Sequence, residues 1–435
     1  MTSIKFAHLS DIHLGAWRND TLNKVGYNAF EKAIDTIIEE KVDFVIISGD
    51  LYDVSNPKVD VVDIATKNLK KLQNNRIPVY GIMGSHDFSP SKKSMIRPLK
   101  SAELFIDVFD GTLSEENKLK LFFTQDPKTK VKFTGLRARK RSLEIEDYKI
   151  LDKQFLEKEP GIKIFILHTM LSELKPKEFS KMESTAKSFL PQNFHYYAGG
   201  HIHKTIPHQL RRGKTLKVEE QNKYIYPGCL SPANFREIES FQYGGLCIVS
   251  GNINLENETA DLAVEFVPIK IKEVSTLYID CNNKSVSEVK NKIHKEISNL
   301  DIKDKILTIR LHGELRNGKT YEIRTNKIVN RLKKKGAYEV LINKLGLTSK
   351  EYASVSVKTG KTNQEIESEL IKEHAEQLKF QDLSDKEVID NIHNLFEVMG
   401  KEREENSKVK DYEQHLIEEF DKIFNLRELE GESAK

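Results

Sequence analysis

Aspartate and histidine recur in short groups: Ser10-Asp11-Ile12-His13, Gly49-Asp50, Gly84-Ser85-His86-Asp87, His168 after Ile164-Phe165-Ile166-Leu167, and Gly200-His201-Ile202-His203. Carboxylates and imidazoles gathered in this number form a donor set for divalent metal ions. Two cations roughly 3.5–4 Å apart need a carboxylate shared between them to offset their repulsion. Asp50 is the candidate bridge. Mixed nitrogen and oxygen donors suit Mn, Fe or Zn better than Ca, which prefers all-oxygen shells. An isolated D-x-H or H-x-H carries little weight. The order D-x-H, G-D, G-x-H-D, H, G-H-x-H, with every member ending an apolar run, is a specific signal.

Those runs must position the site. Ile4 to Ser10, Phe44 to Ser48 and Val79 to Met83 read as strands, with amphipathic helices over 22–40 and 58–75 between them. This βαβαβ start predicts a largely parallel sheet whose carboxyl-end loops converge on one crevice. Apolar runs follow at Lys163 to Leu167, Tyr196 to Ala198, Tyr224 to Tyr226, Leu246 to Val249 and Val264 to Val267; from 195 to 268 the short spacings predict hairpins. The expected fold is α/β, a two-sheet sandwich flanked by helices. A small α+β unit comes next, with β-rich pieces at Thr276 to Ile279, Ile306 to Leu311 and Thr320 to Arg324 around a helix near Val286 to Ile297. The remainder reads as helical. Ile392, Leu395, Phe396 and Met399, then Leu416, Phe420, Ile423 and Phe424, form two apolar stripes separated by the polar loop Lys401 to Lys410. Such helices pack on each other and on a partner, or cover the body of the same chain.

Composition sets the remaining limits. The 435 residues are 38% hydrophobic and 31% charged, a soluble globular balance without a membrane-length apolar run. Three cysteines without C-x-x-C spacing support neither a disulfide framework nor a Cys-rich zinc site, so the expected compartment is the reducing cytoplasm. The net charge of +3 hides an uneven distribution: residues 361–435 hold 11 basic and 21 acidic side chains, which leaves +13 for residues 1–360. A basic body suits a polyanion, and the acidic tail suits another partner or a solvated helical face.

In order and spacing the metal-ligand blocks resemble the calcineurin-like metallophosphoesterase superfamily. Ser10-Asp11-Ile12-His13-Leu14-Gly15, Gly49-Asp50-Leu51-Tyr52-Asp53 with Pro57, and Tyr226-Pro227-Gly228 resemble more closely its meiotic recombination eleven/SbcD-type family of DNA double-strand-break repair nucleases. The resemblance covers residues 4–268 by motif and the rest by layout. It implies a metallophosphoesterase nuclease domain over 1–268, a DNA-facing α+β capping domain over 269–358 and an acidic helical region over 359–435 that binds an ABC-type coiled-coil zinc-hook ATPase. It implies two divalent ions, Mn2+ foremost, with Asp11, His13, Asp50 and His203 on one and Asp50, His168 and His201 on the other. His86 would stand beside the scissile phosphate with Asp87 orienting its ring. The implied activity is 3′ to 5′ exonuclease and single-strand endonuclease on DNA ends, in a nucleoid-associated homodimer to which 58–75 and 92–104 are candidate contributors.

Ser85 departs from the family pattern, which has Asn there to complete the second metal shell. A hydroxyl is shorter and a weaker ligand, so the second metal is expected to bind less tightly. Asp53 either supports His13 or His86 or caps the following turn, while His8, His195 and His208 read as structural or surface residues. Basic clusters mark candidate DNA contacts: Lys92, Lys93, Arg97 and Lys100 after the His86 loop, Lys128 to Arg141 with Arg137 and Arg139, Arg211, Arg212, Lys214 and Lys217 after the His203 loop, and Arg331 to Lys335. Two rival functions share this pattern, a generic phosphodiesterase and a DNA-tethering subunit with a weakened site.

Overall fold

The computed structural model describes residues 1–88, 94–298, 300–351, 384–400 and 409–424. The chain divides into two units, Met1–Lys350 and Glu351–Lys435.

The first unit is built on two facing sheets. The larger has seven strands in the order Leu216–Lys217, Thr259–Ile269, Gly244–Asn254, Thr2–Leu9, Phe44–Ser48, Val79–Ile82 and Ile106–Asp107. Its half from Thr2–Leu9 to Ile106–Asp107 is parallel, as the βαβαβ pattern predicts, and the hairpin Gly244–Asn254/Thr259–Ile269 adds antiparallel strands on the other side. The smaller sheet has the order Tyr224–Ile225, Tyr196–Gly200, Lys163–His168, Lys132–Leu136 and Thr124–Gln125, parallel except for its last pair. Tyr196–Gly200 and Tyr224–Ile225 therefore do not form the expected hairpin. The helix His208–Arg211 and the strand Leu216–Lys217 lie between them and return the chain for parallel pairing.

Side-chain alternation fixes which face goes where. From the first strand Ile4 and Phe6 enter the core between the sheets with Phe44, Ile46, Tyr80, Phe133, Ile164 and Tyr196. Ala7 and Leu9 join the opposite core, under Phe30, Ile34 and Ile37 of the helix Asp20–Glu39 and Ala65, Leu69 and Leu72 of the helix Val59–Asn74. Asn19 starts the first of these helices, its side-chain Oδ1 accepting from Thr21 N at 2.8 Å and Leu22 N at 3.3 Å. Burial on both faces explains the near-continuous apolar strands of this half.

Residues 274–349 hold a separate core of Ile279, Val289, Ile293, Leu307, Ile309, Leu311 and Leu332. It lies beneath a parallel sheet of Val274–Asp280, Ile306–Leu315 and Glu339–Ser349. Thr320–Ile323 is a turn of 3-10 helix and not a strand, because Arg324 takes a left-handed φ of 54° and opens the helix Thr325–Lys334. The third strand, Glu339–Ser349, escaped sequence reading. It is an edge strand interrupted by Asn343, Lys344 and the 92%-exposed Leu345. Arg310 anchors this part with two bonds to Glu239, at 2.8 and 2.7 Å.

In the second unit, the helices Asp385–Met399 and Val409–Phe424 pack on each other. Ser384 caps the first of them, accepting from Glu387 N while Glu387 reaches back to Ser384 N at 2.8 Å. Phe396, Met399 and Phe420 remain exposed. Most of the predicted loop Lys401 to Lys410 and the start of the helical region lie outside the described residues. Among the described residues no helix is long and apolar enough to cross a membrane.

Candidate metal centre

The two sheets present their carboxyl ends to the same side, and Ser48 ties them there. Its hydroxyl donates to Gly199 O at 3.0 Å, and its carbonyl accepts from His168 Nδ1 at 2.7 Å. The loops beyond are strained: Asp11, His13, Asp50 and His201 have φ of 49°, 47°, 52° and 82°. Left-handed non-glycine residues cost of order 1–3 kcal/mol each and persist where their surroundings over-determine them. Here Ile12 N and His13 N both donate to Asp50 O, at 2.9 and 3.0 Å, and Leu14 N donates to Leu51 O at 3.0 Å. Crowding also dictates Gly84, where a Cβ would lie 2.1 Å from Asp50 Oδ1.

Three imidazoles share one arrangement. His168 Nδ1 donates to Ser48 O, His203 Nδ1 lies 2.8 Å from Glu237 Oε1, and His13 Nδ1 faces Asp53 Oδ1 at 3.2 Å without hydrogen-bond alignment. Each Nε2 is thereby turned inward. His203 Nε2 stands 3.1 Å from His13 Nε2 and 3.5 Å from Asp11 Oδ1, and His168 Nε2 stands 3.1 Å from Asp50 Oδ2 without hydrogen-bond alignment. An imidazole held at Nδ1 by an oxygen, with Nε2 aimed at carboxylates and other imidazoles, is the usual posture of a metal ligand. Asp11, His13 and His203 form one possible ligand group and Asp11, Asp50 and His168 another. The donor set fits divalent cations.

Burial works against charge here, and the neighbouring charges decide which groups resist it. His168, His13 and His86 hold the carboxyl of Asp50 well below the carboxylate range. Against its burial His168 is raised to about 10 by the charge of Asp50, and His203 is raised to about 9 by Glu237 and Asp11. His201 is pushed down to about 4 by burial and then by the neighbouring His168. Carboxylates this deep require positive charge beside them, which a divalent cation supplies more fully than protons.

The remaining candidates divide. His201 donates its backbone N–H to Asp11 at 3.0 Å and sets its ring edge-on against His168, at 5.3 Å between centroids. Ser85 Oγ lies 3.5 Å from Asp50 Oδ2. His86 is on the open side, with 46% of its side chain exposed; its N–H donates to Asp50 at 2.8 Å and its Nδ1 lies 2.6 Å from Asp53 O. Asp87 does not orient that ring. Its carboxylate is turned away and accepts from the amides of Leu51, Tyr52 and Gly84 at 2.9–3.1 Å. The ring is held instead by the Asp53 carbonyl, and the Asp53 carboxylate backs His13.

Sequence reading missed Glu237. It lies 34 residues beyond His203, in the helix Phe235–Phe241 capped by Asn234, and its other oxygen accepts from Ala233 N at 2.8 Å. The Asn-x-x-Glu spacing was a legible helix start, but nothing local linked it to the metal blocks.

The basic clusters are also partly spoken for. Arg211 turns inward, donating to Phe241 O at 2.7 Å and lying over the Phe241, Tyr243 and Phe266 rings, so it is not a surface contact. Arg139 is paired with Asp147 at 3.1 Å, and Arg137 lies against Phe88 and Phe109. Arg212 is exposed, and Lys92 and Lys93 lie outside the described residues.

Residues 4–205 match the family model of the calcineurin-like phosphoesterases. Residues 4–205 therefore form a calcineurin-like phosphoesterase domain, which places the chain's activity in the class of metal-dependent phosphodiester hydrolases. It is similar to proteins named DNA double-strand break repair protein Mre11: 26% identical to that of Methanococcus maripaludis over 69% of this chain and 76% of the relative. It is 27% identical to that of Sulfolobus acidocaldarius, over 71% and 75%, and 29% identical to that of Methanocaldococcus jannaschii, over 67% and 73%. Among solved structures, a dimetal phosphatase from Danio rerio superposes with a TM-score of 0.34 at 12% identity, covering 61% of this chain and 98% of that one.

Proposed function

We propose that this chain is a two-metal DNA nuclease, with 3′ to 5′ exonuclease and single-strand endonuclease activity. It is the nuclease subunit of a double-strand-break repair complex with an ABC-type coiled-coil ATPase. The observation that carries the reading is the convergence of three imidazoles on two buried carboxylates, Asp11 and Asp50, with His168 and His203 anchored at Nδ1 by hydrogen bonds and His13 Nδ1 facing Asp53. The names of the similar proteins support DNA as the substrate, and the +13 charge of residues 1–360 suits a polyanion.

In this reading Asp11, His13, Asp50 and His203 hold one cation and Asp50, His168, His201 and the Ser85 hydroxyl the other, with Mn2+ preferred. When bound, the cations supply Lewis-acid polarisation of the scissile phosphate and a nucleophile at neutral pH. The protein's own groups set the rest. A carbonyl only accepts, so the bond to Asp53 O puts a proton on His86 Nδ1 and leaves Nε2 facing substrate. The imidazolium form of His86 then donates from Nε2 to the departing oxygen. Residues 269–358 form the DNA-facing capping domain, and 359–435 hold the ATPase coiled coil.

Incubating end-labelled duplex and hairpin DNA with the purified chain, Mn2+ and then chelator tests this function. Chelator-sensitive cleavage is expected. Hydrolysis of small phosphodiesters with DNA left uncut would favour the generic phosphodiesterase.

A further inference from the structure

A cavity of about 280 Å³ opens directly beside the candidate metal centre, and no part of the chemistry above uses it. His201 and His203 form one wall, so whatever fills it abuts the ligands of both cations. The opposite wall is apolar, made by Met170, Phe179, Met182 and Phe241. Phe179 and Met182 come from the loop after His168, which is shaped by short 3-10 turns; Phe241 ends the helix that carries Glu237. Arg236 stands at the rim, exposed, with no ion pair or hydrogen bond among the described residues. The wall's carboxylate does not offset that charge toward a ligand, because Glu237 spends its oxygens on His203, Asn234 and the amide of Ala233.

We infer that this cavity seats one unstacked nucleobase of the strand being cut, the base beside the scissile phosphate, with Arg236 on a neighbouring phosphate. The inference rests on the nuclease reading above. At about 280 Å³ the space sits at the small end of ligand pockets, which run roughly 300–1,000 Å³, and so suits a single flat ring system better than a stacked base pair. Two aromatics and two thioethers are sequence-tolerant partners for any base, whose stacking is worth roughly 1–3 kcal/mol. A cation at the mouth is where the polyanionic backbone must pass. The cavity thus selects for nucleotides that can leave the helix, at frayed ends, hairpin tips and single strands, since extrusion from a duplex costs a few kcal/mol.

The test compares a single-stranded oligonucleotide with one carrying an abasic deoxyribose on either side of the cleaved bond. It uses the full chain with Mn2+, the Phe179→Ala and Arg236→Gln variants, and bis(p-nitrophenyl) phosphate as a small ester. Stacking of the stated size predicts that one abasic position lowers kcat/KM about 5- to 150-fold in the wild type. Phe179→Ala should lose a similar factor on the intact strand and become indifferent to the abasic site, as two changes to one contact must. Arg236→Gln should weaken cleavage yet keep the abasic discrimination. A 2-aminopurine at that position should be quenched on binding in chelator by the wild type and not by Phe179→Ala. Phe179→Ala that cuts DNA and still discriminates as the wild type does would overturn the base pocket and leave the nuclease standing. Hydrolysis of the small ester without any DNA cleavage would remove the nuclease reading first and this inference with it.

Discussion

At the scale of single residues, the centre depends on which nitrogen of each histidine is occupied. Ser48 O and Glu237 occupy Nδ1 of His168 and His203, and Asp53 stands beside that of His13, which turns Nε2 of each ring to the interior. Residues that fix ligand rings in this way change metal affinity about 10- to 100-fold when replaced. Glu237→Gln should therefore bind Mn2+ that much more weakly by calorimetry while the fold, by circular dichroism, stays intact; unchanged affinity would show that Glu237 only caps its helix. Ser85 makes a second prediction. Two unequal Mn2+ affinities are expected in the wild type, and Ser85→Asn should tighten the weaker one; two equal, tight sites in the wild type would refute it. The clustered aspartates and histidines were legible because a metal-ligand set would demand those side chains at strand ends. Glu237 was not, since its link to His203 exists only in three dimensions. Asp87 was misread for a related reason: adjacency to His86 in sequence says nothing of direction within a tight turn.

At the scale of elements, apolar runs revealed the strands and helices of the larger sheet because both its faces are buried. Tyr196 and Tyr224 misled, since parallel and antiparallel neighbours share the same side-chain pattern and only the intervening chain decides between them. Glu339–Ser349 was hidden by the polar residues an edge strand tolerates. His8 shows what the core imposes. It is fully buried between the sheets, with Nδ1 2.9 Å from Tyr196 Oη and Nε2 2.8 Å from Ser48 Oγ. Burial lowers it from 6.5 to about 3 despite an opposing hydrogen bond to the Gly199 backbone. The unfolded chain then binds a proton that the folded chain refuses, so stability is full above pH 6.5 and declines as pH falls toward 3. The contribution is about 1.4 kcal/mol per pH unit. Denaturant titrations of wild type and His8→Phe between pH 7 and 4 should differ by that slope; parallel curves would contradict it.

At the scale of the whole molecule, charge and connectivity reach beyond the metal loops. The helix Phe235–Phe241 carries Glu237 toward His203 and Glu239 toward Arg310, so the part with its own core over residues 274–349 buttresses an element of the centre. Basic patches predicted from sequence are thinner than their lysine and arginine counts suggested, because Arg211 and Arg139 serve the fold. Enough charge remains for backbone contact without sequence reading. DNA affinity should fall linearly on a log–log plot against salt, with a slope of about −0.9 per duplex phosphate neutralised. A salt-insensitive complex would count against a polyanion-binding face.

Cleavage of end-labelled hairpin DNA by wild type and His86→Ala, each shown beforehand to hold the same Mn2+ content, tests the central claim most directly. The variant should bind DNA and metal but cut at least about 100-fold more slowly, the typical worth of a positioned general acid. Equal rates at equal metal content would contradict it.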